Sequence, residues 1–143
     1  MKSVREQILT ALATNLAAVS GVTVYRSRQS AIARVEGSAI VIQPKHEPVE
    51  KRASIPGGLV LRDFTVNISV IVRGDPADSI ADPIIVSAHA IVMADPTLGG
   101  LCSQVIEHST EWMFDEADLT AAEVIIAYQI RYQTSANDLT KPL

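Results

Sequence analysis

The chain has 143 residues and a mass of 15.4 kDa, enough for one domain with its own core. Hydrophobic residues make up 48% and charged residues 20%, and the net charge of −4 argues against a general nucleic-acid binder, which needs a basic footprint. The lone cysteine, Cys102, excludes an intrachain disulfide and suits a reducing compartment. The opening MKSVREQILTALATNL lacks the continuous apolar stretch of a signal peptide, and no apolar run approaches the ~20 residues of a membrane span, so the sequence reads as soluble and made in a cytoplasm.

Ser3 to Val19 reads as a helix. Ser3 and Glu6 have capping-box spacing, and Val4, Ile8, Leu12 and Leu16 recur every four residues. Gly21 fits the position after the helix, where a positive φ favours glycine. Val22–Arg26 is a short β-branched and aromatic run, and Ser38–Gln43 a second strand stopped by Pro44. Ser27–Gly37 between them is ambiguous. Pro44–Gly58 is polar, carries both signs of charge and holds three prolines and two glycines. It reads as a mobile loop, or as the tip of a long hairpin.

Leu59–Arg73 alternates most clearly. Phe64, Val66, Ile68, Val70 and Val72 share one face; Thr65, Asn67, Ser69 and Arg73 share the other, with Ile71 the exception. A central helix follows, ending near Ala94. Asp82 as N-cap with Pro83 at the first helical position is the economical start, and a first turn from Ala77 with a kink at Pro83 is the alternative. Little charge lies between Pro83 and Ala94, so the helix is expected to be largely buried. Met93–Leu101, MADPTLGGL, is the corner feeding the last strands, Gln104–Phe114 and Ala121–Gln133. Asp115-Glu116-Ala117-Asp118 forms an acidic turn between them, and the tail 135–143 reads as flexible. The fold class is α+β: a mainly antiparallel, mixed sheet of about five strands, two helices on one face, order α-β-β-β-α-β-β, in a single domain spanning 1–143.

Chemistry is sparse. Cys102, His108 and His89 are the only nucleophile–base set, but Cys102 and His108 sit six apart on one extended run, about 20 Å, too far to meet. His89, in the central helix, reads as a packed histidine without a partner. No metal-ligand spacing, calcium loop or phosphate-binding glycine pattern occurs, so no cofactor or metal is expected. Asp82 is the only acid near the helix start that could serve a small hydrolase built from a helix wrapped by an antiparallel sheet.

MADPTLGGL, the strand with Glu111-Trp112, the acidic turn and the ending AYQIRYQTSANDL (Ala127–Leu139) resemble the tail-completion proteins of long-tailed bacteriophages and prophages. The pattern is similar to the tail terminators, the class of minor tail protein U of lambda-like phages. The N-terminal helix followed by GVTVYRSR is similar to that group as well. The resemblance covers most of the chain as an ordered pattern; Ser27–Gly37 and Pro44–Gly58 match no motif. It implies a structural virion protein without catalytic residues, located in the virion tail and assembled in the host cytoplasm. The implied assembly is a hexameric homo-oligomeric ring that caps the tail tube and offers a surface for head–tail joining. Its implied partners are the tube protein and a connector or neck protein, with no specific nucleic acid and no membrane. Another neck or head–tail joining protein is the alternative within the class. Candidate interface residues are Lys45, His46, Glu47, Glu50, Lys51 and Arg52 of the polar stretch, Thr65, Asn67 and Ser69 of the long strand, and Asp138 of the tail.

Overall fold

The longest alternation in the chain becomes its central strand. In the computed structural model, residues 1–27, 37–52, 57–114 and 120–143 are described, with Lys51 and Arg52 described through their backbone. The elements are α1 (Val4–Leu16), β1 (Val22–Arg26), β2 (Ser38–His46), β3 (Val49–Arg52), β4 (Leu59–Arg73), α2 (Ala77–Ala94), β5 (Gln104–Phe114) and β6 (Ala121–Ser135). They form an α+β fold with one six-stranded mixed sheet in the order β1-β2-β4-β6-β5, and β3 pairs with the outer end of β4. β1 and β2 are parallel; the other pairings are antiparallel.

β4 and β6 pair over fifteen residues each, from Leu59 opposite Ser135 to Arg73 opposite Ala121. Their register places Phe64, Val66, Ile68, Val70 and Val72 on the same face as Val124, Ile126, Tyr128, Ile130 and Tyr132, as strict alternation requires, and all ten are buried. Both helices lie on that face. Val4, Ile8, Leu9, Leu12 and Leu16 of α1, and Ala77, Ala81, Ala88 and Val92 of α2, complete the core. Each large aliphatic side chain buried there contributes roughly 1.5–3 kcal/mol. On the opposite face Ala39 and Val41 pack with Tyr25 and Ile71, which explains the one apolar exception on the polar face of β4.

Several local readings are revised. α1 stops at Leu16, short of Val19, and Gly21 takes its positive φ in the turn into β1. Only half of the capping box forms: the Glu6 amide donates to Ser3 Oγ at 3.2 Å, while the Glu6 carboxylate accepts two bonds from Arg26 at 3.2 and 3.0 Å. A bidentate charged pair is stronger than the neutral amide contact it replaces. Pro44 does not stop β2, which continues to His46 through a bulge after Pro44. β1 pairs only as far as Ile42, so the missing proline N–H faces no neighbouring strand. Pro44–His46 and Val49–Arg52, read as loop, are therefore strand, and with β4 they make a long hairpin; residues 53–56 of that stretch lie outside the described residues. The terminal segment is hydrogen-bonded to the domain: Val4 N–H donates to Leu139 O at 2.8 Å, and Leu143 N–H to Gln133 O at 3.0 Å.

α2 begins at Ala77, so Pro83 lies inside the helix and Asp82 is not its N-cap. The helix is not largely buried, either: its exposed side carries Val86, Ala90 and Met93. With 18 residues and a mean hydropathy of 1.3 it is long and apolar enough, by length and composition alone, to cross a membrane, contrary to the sequence reading; here it lies across β4 and β6.

Candidate interaction surface

The candidate nucleophile is disarmed by its setting. Cys102 sits in the corner before β5, buried, with its thiol directed at Pro96 O at 3.5 Å. Burial pushes the thiol pKa up to about 11, which keeps it protonated and poorly nucleophilic. Asp95 builds this corner by accepting from Gly99 N–H at 2.9 Å and from the Thr97 hydroxyl at 3.3 Å. His108 occupies the bulge of β5 and is exposed. Asp82 is exposed in the second turn of α2.

His89 has partners, contrary to the sequence reading. Its Nδ1 lies 2.8 Å from the Tyr128 hydroxyl, the two rings stack at 5.9 Å, and its Nε2 is 3.8 Å from Glu107. Burial, and secondarily the Glu107 charge, raise the Tyr128 pKa and hold its proton. The Tyr128 hydroxyl and Nδ1 share this hydrogen bond, and Nε2 is the ring nitrogen that faces Glu107. This joins α2 to β6 and β5 across the edge of the helix layer.

The expected interface residues separate into two groups. Lys45, His46 and Glu50 are exposed, and Thr65 is half-buried. Lys51 and Arg52 pair with Leu61 and Val60 through the backbone, and their side chains lie outside the described ones. The other four, Glu47, Asn67, Ser69 and Asp138, are at least partly buried. Glu47 turns inward: with its side chain 8% exposed, it meets Arg5 at 3.3 Å, Arg62 at 3.5 Å and the Tyr132 hydroxyl, linking α1, β4 and β6. Burial and this hydrogen bond raise the Tyr132 pKa. Ser69 is buried on the face away from the helices. On the same face Asn67 has a buried Oδ1 without a hydrogen-bond partner among the described residues. Asp138 accepts from Thr140 N–H at 2.9 Å and from its hydroxyl at 2.6 Å, and these bonds lower its pKa.

Sequence reasoning missed a buried pair and an exposed strand. Asp63, 2% exposed, accepts two bonds from Arg131 at 2.8 and 3.1 Å, and that hydrogen bonding holds its carboxyl below the usual range. β5 is an edge strand with Val105 as its buried anchor. Trp112, Met113 and Phe114 at its far end are 54%, 51% and 52% exposed, and Ile106 is exposed as well. Three consecutive large apolar residues break alternation and place apolar area on both faces of a strand, a signal present in the sequence and left unused. A long edge strand of this kind is a template for association unless something covers it. On the other side of α2, a groove of ≈ 500 Å³ opens against the end of α1, lined by Val19, Pro83, Ile84, Ser87 and Ile91 among others.

No protein-family model matches the chain, and no curated protein matches it. Among solved structures it is similar to a chain from the virion of a native gene transfer agent (GTA) particle; the alignment covers 92% of each chain at 14% identity with a TM-score of 0.42.

Proposed function

We propose that the protein is a structural virion component of the tail-terminator type, acting as a ring that ends tube growth and presents a surface for head–tail joining. The observation that carries the reading is the surface of the molecule: an open sheet with a long edge strand whose far end, Trp112–Phe114, is apolar and exposed, beside a helix whose outward side carries Val86, Ala90 and Met93. Such a surface suits a subunit whose remaining contacts are made by other copies. The pattern of MADPTLGGL, Glu111-Trp112 and the AYQIRYQTSANDL ending supplies the class, and Cys102, buried and protonated, offers no nucleophile. The mechanism is binding: ring closure through heterologous contacts, with one rim for the tube and the other for the neck.

Negative-stain images of the purified full chain test this reading. Rings with a central hole are expected, and adding the chain to polymerising tube protein is expected to shorten the tubes. Monomers alone, even with tube protein present, would overturn it.

A further inference from the structure

The segment that follows β6 ties two elements together and buries none of its own side chains. It turns back through a bridge between Ser135 and Asp138 and reaches the first turn of α1. Val4 N–H donates to Leu139 O at 2.8 Å, Gln7 Nε2 to Thr140 O at 3.1 Å, and Leu143 N–H to Gln133 O at 3.0 Å. Asp138 shapes the turn by accepting from the Thr140 amide and hydroxyl. We propose that residues 138–143 form a strap that opens as one unit about Ala136 and Asn137 while the rest of the domain stays folded, uncovering Gln133 O at the edge of β6.

Burial separates this segment from the domain. None of residues 136–143 is buried, and its two leucines, Leu139 and Leu143, are 38% and 66% exposed. The hydrophobic core ends with Tyr132. A segment held by hydrogen bonds near solvent, with few buried apolar contacts, opens at far lower free energy than the core it rests on. The pivot is fixed on the sheet side, where Ala136 N–H donates to Gly58 O at 2.7 Å, while the Ala136 and Asn137 side chains are exposed.

The closed strap stands where β5 stops. β5 pairs with β6 as far as Gln104 opposite Arg131, and Ser103 N–H takes Arg131 O at 2.8 Å. Gln133 lies two residues further along β6, so its backbone groups point to the same edge. Leu143 N–H takes that next acceptor, and the strap extends the hydrogen bonding of the edge beyond β5. An unpaired edge is where an extended segment of another chain adds, and here the chain's own strap holds the place.

Native-state amide hydrogen exchange on the full chain tests this. Val4 is the first residue of α1, so its N–H has no partner within the helix and its protection reports the bond to Leu139 O. The Leu143 amide reports the other end of the strap. Both are expected to exchange with one shared opening free energy, well below that of Val70 in the middle of the sheet. The double variant Gln7→Ala/Asp138→Ala removes the side-chain latches. It is expected to speed exchange at Val4 and Leu143 by at least about tenfold, with Val70 exchange and the circular dichroism unchanged. Val4 and Leu143 amides that exchange only together with Val70 would overturn the independent opening. Different opening free energies at the two amides would overturn the single unit, and a double variant that exchanges like the wild type would overturn the latch.

Discussion

Asp63 and Glu47 show how a charge in the sequence is committed by its neighbours. The Arg131 guanidinium holds the Asp63 carboxyl below its usual range. A carboxyl depressed in the folded state adds stability above its unfolded pKa near ~4 and loses it as the pH falls through the folded value. Asp63→Asn is therefore expected to lower unfolding free energy by about 2 kcal/mol at pH 7. The difference from wild type should close on acidification below about pH 4, read from urea melts across pH. Glu47 faces Arg5 and Arg62, and the Arg62 side chain is itself only 11% exposed. Glu47→Leu should cost about 3 kcal/mol, because it leaves that cation buried and unpaired. Adding Arg62→Leu to the same chain should recover most of the loss; equal melts for the single and double variants would refute this account. Neither environment was legible in sequence. Glu47 lies in a polar stretch that resembles solvated loop, and its partners come from three separate elements.

At the scale of elements, the entry to α2 is closely packed around Gly74. Gly74 has φ +147°, and a Cβ there would stand 2.1 Å from Ile80 Cδ1. Its N–H donates to Thr120 O at 2.6 Å, which ties the end of β4 to the start of β6. Gly74→Ala is expected to destabilise by about 2 kcal/mol through backbone strain and overpacking. Gly74→Ala/Ile80→Ala should relieve the overpacking part, so thermal melts separate the two causes. The boundaries of β4 were readable because alternation is a local property of the backbone, and those of β1 because a β-branched and aromatic run is local as well. The extension of β2 past Pro44, and β3 with it, was not: a proline is tolerated only where its missing N–H faces no strand, and sheet order decides that.

For the whole molecule, the exposed edge carries its own reporter. Trp112 is the only tryptophan and is 54% exposed in the single chain. If β5 becomes covered on assembly, Trp112 emission shifts to the blue and resists iodide quenching as concentration rises. Emission that stays red-shifted in assembled material would show that β5 remains uncovered. Half-buried as α2 is, it belongs to the same surface. The sequence reading placed α2 in the core because its composition is apolar, yet a helix on the outside of a two-layer domain buries only the stripe that meets the sheet.

The sequence by itself determined the α+β class, the core faces of β4 and β6, and the absence of a local motif for metal or phosphate. Each of these is written in residues a few positions apart. Only the tertiary structure decided that β6 lies between β4 and β5, that β5 is therefore an exposed edge, and that His89 meets Tyr128 thirty-nine residues away. Those outcomes depend on which segments pair across the chain, and alternation specifies the face of a strand without naming its neighbour.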